Sequence, residues 1–100
     1  MPKVNLSVPH AVGQDEARKR IEKVLIRVME KFGDQVSDLQ KSWEENVLNF
    51  SFKTFGFAIK GSMAVESEQV DFECSLPIAA MMFKGKVEKT MRDELTRILS

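Results

Sequence analysis

The sequence predicts an α+β fold: a strand, a helix, a four-stranded antiparallel meander and a second helix, with both helices packed on one face of the sheet. Three observations carry this prediction. The chain has 100 residues, 43% hydrophobic and 30% charged, so we expect one core and a single α+β domain over residues 1–100. Apolar residues recur first at alternate positions, then at helical spacing, then alternately, then helically. No linker-like, repeated or low-complexity tract interrupts this order.

The first strand and helix follow directly from the apolar spacing. In "KVNLSV", residues 3 to 8, every second residue is apolar, as in a half-buried strand, and Pro9 ends the pattern. Gly13 is a suitable N-cap for the first helix, and Gly33 is a suitable C-cap. The predicted buried stripe of this helix comprises Ala17, Ile21, Val24, Leu25, Val28 and Phe32.

Beyond Gly33 the period falls to two, which indicates four strands. The first is weak, with only Leu39 and Trp43 on one face, and "EEN" at 44 to 46 is its turn. The inward residues of the other three are Leu48, Phe50 and Phe52; Phe57, Ile59, Met63 and Val65; and Val70, Phe72, Cys74 and Leu76. The last helix is expected to begin between Ile78 and Lys84. Its apolar stripe is Val87, Met91, Leu95 and Ile98.

The meander predicts two different ends of the sheet, because successive antiparallel connections alternate between the ends. One end collects the acidic residues Glu44, Glu45, Glu66 and Glu68. The other collects Phe55, Phe57, the run Ile78 to Phe83, and the cations Lys31, Lys53, Lys84 and Lys86. We therefore expect one acidic end and one apolar end with a basic rim.

The stretch "LPIAAMMFKGK", residues 76 to 86, allows two interpretations. In the first, Met81, Met82 and Phe83 cap the open end of the core, which is favoured because most apolar residues of a small domain are buried. In the second, part of the run stays exposed, since residues that are apolar all round a helical turn cannot all face a one-sided core. An apolar patch rimmed by lysines is typical of a surface that rests on a lipid, a polyester or a partner protein.

The sequence gives no sign of catalytic chemistry, so we assign no catalytic, cofactor-binding or metal-binding residue. His10 is the only histidine, and we expect it to fix the turn into the first helix through a backbone hydrogen bond. Asp71 and Glu73 share the outward face of a strand, where carboxylates are more often solvated than metal-bound. Cys74 alternates with apolar residues and is expected to be buried and inert.

Charge and cysteine content indicate the class of protein. Fifteen basic and fifteen acidic residues cancel, and no recognition motif is present, so we expect no nucleic-acid partner. A single cysteine fits a reducing compartment. The N-terminus lacks a signal-peptide pattern and no stretch has the ~20 apolar residues of a transmembrane segment, so we expect a cytoplasmic protein.

Four segments together resemble the polyhydroxyalkanoic acid system family of small bacterial proteins. They are "PHAVGQDEA" at 9 to 17, "WEENVLNF" at 43 to 50, "FGFAIKGSMAV" at 55 to 65 and "LPIAAMMFKGKVEKTMRDEL" at 76 to 95. The match depends on their order and spacing and covers nearly the whole chain. The resemblance implies a cytoplasmic bacterial protein linked to polyhydroxyalkanoate granules or their regulation, and it supplies no established enzymatic activity and no catalytic residue. We accordingly expect a non-enzymatic accessory protein.

From these observations we expect the protein to bind a polyhydroxyalkanoate granule surface or a granule-associated protein. The surface-binding residues would be Phe55, Phe57, Ile78, Met81, Met82, Phe83, Lys84 and Lys86. One alternative is an acyl- or lipid-binding module, with a groove lined by Phe50, Phe52, Met63, Phe72 and Met91. Another is a homodimer that pairs the strand holding Asp71 and Glu73, or the weak second strand, at an open sheet edge.

Overall fold

The computed structural model describes residues 3–54 and 56–100 and has the predicted α+β architecture. Its strands are β1 (Lys3–Pro9), β2 (Val36–Glu44), β3 (Val47–Thr54), β4 (Phe57–Val65) and β5 (Gln69–Ser75). Its helices are α1 (Gln14–Phe32) and α2 (Lys84–Ile98), with 3₁₀ turns at Gly33–Gln35 and Ile78–Phe83. Phe55 and the side chain of Phe32, both predicted to make apolar contacts, lie outside the described residues.

The five strands form one antiparallel sheet in the order β1-β5-β4-β3-β2. The strand that holds Asp71 and Glu73 lies between β1 and β4, because Lys3–Pro9 pairs along its full length. The prediction that this strand offers an open edge for a second copy is therefore wrong. Within the described residues the edges are β1 and β2, and pairing of two copies along β2 stays a prediction that light scattering tests.

Both helices cover the same face of the sheet, as the apolar stripes predicted. Alternate residues of β1, β3, β4 and β5 point toward them, and β1 shows this most clearly, since Val4, Leu6 and Val8 are buried and their neighbours exposed. Edge strand β2, whose pairing with β3 shifts register between Ser37 and Gln40, lacks this alternation. Glycines delimit α1: Gly13 precedes it with φ of 86° and Gly33 follows it with φ of 54°, in the left-handed region that favours glycine. The predicted stripe residues Ala17, Ile21, Val24, Leu25, Val28, Met91 and Leu95 are all buried.

Hydrogen bonds between loops close the acidic end of the sheet. The Val65 N–H donates to the Asn46 carbonyl over 2.8 Å. The side-chain amides of Gln14 and Asn46 both donate to the Val65 carbonyl, over 2.9 and 3.0 Å. His10 takes the structural role predicted for it, because its N–H donates to the Glu68 carbonyl over 2.9 Å and its Nε2 lies 3.0 Å from the Glu66 carbonyl oxygen.

Edge strand β2 is held to α1 by Trp43, one of the two apolar residues that the sequence placed on one face of this strand. The indole N–H of Trp43 donates to the carboxylate of Glu22, and the Arg18 guanidinium lies 4.4 Å from the centre of the Trp43 ring. Lys41 adds a second hydrogen bond to Glu22 over 3.1 Å. These donors, Trp43 first, hold the pKa of Glu22 below its ordinary value.

The two helices are joined by Glu94, a buried carboxylate that was not predicted from the sequence. It accepts hydrogen bonds from Lys31 of α1 and from Arg97 of its own helix. These two cations hold the pKa of Glu94 below its ordinary value. Glu94 lies three residues after Met91 and one before Leu95, so it lies beside the apolar stripe of α2. A charged residue at this position was the available signal for a buried ion pair.

Candidate functional site

The Ile78–Phe83 segment lies at the end of the sheet opposite the acidic turns, and most of it faces solvent. Ile78 is 76% exposed, Met82 82%, Met81 50% and Phe83 43%. Among the described residues only one other large hydrophobic side chain, Ile26 on α1, is comparably exposed, at 47%. Met81 and Met82 therefore do not cap the core, and the interpretation that part of the run stays exposed is correct.

The geometry of a 3₁₀ helix explains this exposure. Such a helix has about three residues per turn, so residues three apart in sequence lie above one another on the same side. The segment therefore has three sides, each with every third residue. Ala80 and Phe83 share the side that faces the protein, where Ala80 is buried. Pro77 precedes the segment in extended conformation, and its carbonyl accepts from the Ala80 N–H over 2.9 Å. The other two sides, which carry Ile78, Met81 and Met82, have nothing to pack against.

Two lysines follow the exposed segment at the start of α2. Lys84 and Lys86 are both exposed, and within the described residues no ion pair joins either of them to a carboxylate. The other two cations of the predicted basic rim are paired, Lys53 with Asp38 at 3.5 Å and Lys31 with Glu94. The rim that remains available to a partner is therefore Lys84 and Lys86.

A cavity of about 230 Å³ opens beside this segment, between the helices and the sheet. Its inner wall is made of buried apolar side chains, chiefly Leu25, Val28, Phe50, Ile59, Phe72 and Met91. Phe57, Phe83, Val87 and the half-buried Phe52 form the apolar part of its mouth. Phe57 was predicted both as an inward residue of its strand and as part of the binding surface. It is half-buried and belongs to the cavity mouth, whereas Phe55 lies outside the described residues.

Gly61 determines the shape of the cavity wall. It pairs with Phe50 across β3 and β4, and a Cβ atom at this position would lie 2.6 Å from Cζ of that ring and 2.5 Å from the Glu73 carbonyl oxygen. The absence of a side chain therefore lets the Phe50 ring lie over the backbone of β4. There the ring is 6.0 Å from that of Phe72, with the planes nearly parallel.

The groove predicted from the sequence agrees with this cavity in four residues of five. Phe50, Phe52, Phe72 and Met91 line it, whereas Met63 is fully buried on the closed side. Residues of α1 and Thr90 also line the cavity, and they were not predicted from the sequence. Thr90 lies three residues after Val87 and next to Met91, so a polar side chain within the apolar stripe was the available signal.

Cys74 and Asp71, to which the sequence assigned no catalytic or metal-binding role, lie on opposite faces of the sheet. Cys74 lines the cavity but is buried, and burial raises the pKa of its thiol to about 11, which keeps it protonated and unreactive near neutral pH. Asp71 lies on the opposite face of the sheet, where it accepts from the Ser7 hydroxyl over 2.5 Å and from the Gln69 amide over 2.9 Å. Over residues 3–54 and 56–100, no group of three potential metal-ligating side chains occurs.

No helix in the described part of the chain combines the length and apolar character that crossing a membrane requires.

Comparisons with known proteins show what the chain is similar to. A family model described as "Putative polyhydroxyalkanoic acid system protein" matches residues 4–99. No curated protein matches the chain. In the crystal structure of DynU16, "a putative protein in the dynemicin biosynthetic locus", the matching region has a TM-score of 0.72 at 17% identity; it covers 97% of this chain but only 46% of that one. The crystal structure of TTHA0849 from Thermus thermophilus matches at a TM-score of 0.35 and 10% identity, over 98% of this chain and 92% of that one.

Proposed function

The chain belongs to the polyhydroxyalkanoic acid system family, and we propose that within this system it is a non-enzymatic accessory protein that docks on the hydrophobic surface of polyester granules. Docking would use the outer sides of the Ile78–Phe83 segment. Lys84 and Lys86 would form the polar rim of the contact. In this proposal the protein is cytoplasmic and associates with granules reversibly.

The observation that carries the proposal is the concentration of exposed apolar side chains in one six-residue segment. Isolated exposed hydrophobic residues are ordinary, but a contiguous group indicates a contact surface. Ile78, Met81 and Met82 lie on the two sides of the segment that face solvent, where a partner surface can contact them. Burying each of these side chains contributes roughly 1.5–3 kcal/mol, enough for reversible association.

Charge supports the same surface. The acidic turns with Glu44, Glu45, Glu66 and Glu68 lie at the far end of the sheet, whereas Lys84 and Lys86 border the apolar segment. Lysine stems can lie along an apolar surface while their ammonium groups remain in water. A granule surface with anionic groups would therefore orient the protein with its apolar end inward.

Co-sedimentation with polyhydroxyalkanoate granules stripped of native proteins tests the proposal. The purified chain is expected to pellet with granules at low and at high salt, because apolar contact is not screened by ions. The variant Ile78→Ser with Met82→Asp is expected to lose affinity on the order of a hundredfold. Its melting temperature should remain close to that of the wild type, since both side chains are exposed.

Ile26→Ser is the matched control, because it removes an exposed apolar side chain from α1, outside the segment. It should pellet like the wild type. Equal loss of binding in both variants would indicate nonspecific adsorption. If the wild type does not bind stripped granules but binds granules that retain their associated proteins, the docking partner is a protein and not the polyester.

A further inference from the structure

The cavity between the helices and the sheet is a second candidate site, which shares Lys86 with the rim of the docking surface but not the most exposed apolar side chains of that surface. Ile78 and Met82, the two most exposed residues of the docking segment, do not line it. We propose that this cavity binds the straight acyl chain of a free carboxylic acid. In this proposal the chain lies along the inner wall and the carboxylate lies at the mouth beside Lys86 and Thr90.

The polarity of the cavity favours an amphiphile with one polar end. The inner wall is apolar apart from the thiol of Cys74, which is buried and protonated. The polar lining residues Gln35, Thr54, Lys86 and Thr90 are all exposed or half-buried, which places them toward the mouth. A ligand with polar atoms at one end only fits this arrangement. A polar group placed deeper in the cavity would lose its hydrogen bonds to water without gaining a hydrogen-bond partner from the protein.

Charge identifies the head group. Among the described residues that line the cavity, Lys86 is the only charged one, and no ion pair inside the protein occupies it. The Thr90 hydroxyl, one helical turn further along α2, provides a second donor at the same side of the mouth. An ammonium group and a hydroxyl at the mouth of an apolar cavity are suited to a carboxylate.

The volume of the cavity limits the length of the acyl chain that it can hold. A cavity of about 150 Å³ accommodates benzene, with its six carbons. By the same ratio, the 230 Å³ found here accommodates about nine carbon atoms. Medium-chain acids of about eight to ten carbons therefore fit, and longer chains must leave carbons in water.

Isothermal titration calorimetry with hexanoate, octanoate, decanoate and tetradecanoate tests the inference on the purified chain. Affinity should rise about fourfold for each added methylene and level off near nine or ten carbons, where the cavity is full. A saturable one-to-one complex with this plateau supports the assignment. An affinity that rises without a plateau, or no binding of any acid, overturns it.

Substitutions at the mouth make the test site-specific. Val87→Phe adds a ring at a half-buried position of the mouth and should lower decanoate affinity at least about tenfold while the melting temperature is maintained or raised. Lys86→Glu should weaken binding of decanoate several-fold at low salt and leave binding of methyl decanoate unchanged. Lys89→Glu, on the same helix but outside the cavity lining, is the matched control and should bind decanoate like the wild type.

Two further arms complete the design. 10-Hydroxydecanoate carries a hydroxyl at its far end and should bind on the order of tenfold more weakly than decanoate, since the inner wall offers no suitable partner. The docking variant Ile78→Ser with Met82→Asp should bind decanoate normally. If this variant loses granule binding but still binds decanoate, the docking surface and the cavity act separately. If 10-hydroxydecanoate binds as tightly as decanoate, the proposed orientation of the ligand is overturned.

Discussion

The two ends of the sheet are built from the same alternation of apolar residues, but they are closed in different ways. At the acidic end, fully buried Leu48, Met63 and Val65 fill the space beneath the helices, and the Asn46 and Val65 backbones are hydrogen-bonded to each other. At the other end the layers separate around a cavity, and the Ile78–Phe83 segment leaves its apolar side chains in solvent. Packing at the first end serves stability, whereas the second end has apolar surface that folding does not use.

The difference in packing between the two ends is tested most strongly by replacing one methionine with alanine at each end. Met63→Ala removes a fully buried side chain from the closed end and should lower the free energy of unfolding by about 3 kcal/mol. Met82→Ala removes the same atoms from an exposed position and should change it by less than about 0.5 kcal/mol. Urea unfolding of both variants measures the difference. Equal losses would show that Met82 is packed in solution.

Gly61 gives the next largest effect, because it lies where the wall of the cavity is formed. A methyl group there would meet the Phe50 ring at 2.6 Å and the Glu73 carbonyl at 2.5 Å, so Gly61→Ala should lower the free energy of unfolding by about 2 kcal/mol. Gly85→Ala is the control at the open end. Its Cβ would meet nothing within 4 Å, and alanine favours the helix, so thermal unfolding should show an unchanged or slightly raised melting temperature.

Substitution of Glu94, which joins α1 to α2 through Lys31, should have a smaller effect on stability, and this effect should depend on pH. Its lowered pKa means that it stabilises the fold above the ordinary carboxyl value of about 4.3, and that this contribution is lost as the pH falls through the folded-state pKa. Glu94→Gln should therefore cost about 1 kcal/mol near neutral pH and progressively less in acid. Glu88→Gln, which alters an exposed carboxylate on the same helix, should show little change at any pH. A constant Glu94→Gln deficit from pH 7 to pH 2 would contradict the assigned ion pairs.

The smallest effect is expected from the basic rim. Lys84→Glu with Lys86→Glu should leave stability unchanged and weaken granule co-sedimentation only a few-fold at low salt, with the difference disappearing at high salt. Lys23→Glu with Lys89→Glu makes the same change in net charge at exposed sites away from the segment and should have less effect. A loss of binding that persists at high salt would show that the lysines, rather than the apolar residues, carry the contact.

Much of the fold could be predicted because local patterns determine it. Alternation in β1, the stripe of α1 from Ala17 to Val28, and the inward residues of β3 to β5 agree with the structure. Strand neighbours beyond the meander could not be predicted, because the pairing of β1 with β5 depends on where α1 returns the chain. The assumption that β5 is an edge failed for that reason.

The candidate site was less predictable because it depends on space between elements. Composition favoured a buried Met81 and Met82, yet a 3₁₀ segment at the end of a sheet turns only one of its three sides to the protein. The cavity depends on the Phe50 ring lying over Gly61, a contact that joins two strands. The aromatic residues indicated a groove, but neither its volume nor the polar groups at its mouth can be obtained from periodicity.

Hydrogen–deuterium exchange with and without stripped polyester granules tests most directly whether the open end is the functional one. We predict that peptides covering residues 78–87 exchange more slowly when granules are present. Peptides covering the turns at 44–46 and 66–68 should exchange at the same rate in both samples. Protection of the acidic turns, or no protection of the Ile78–Phe83 segment under conditions where the protein sediments with granules, would contradict this account.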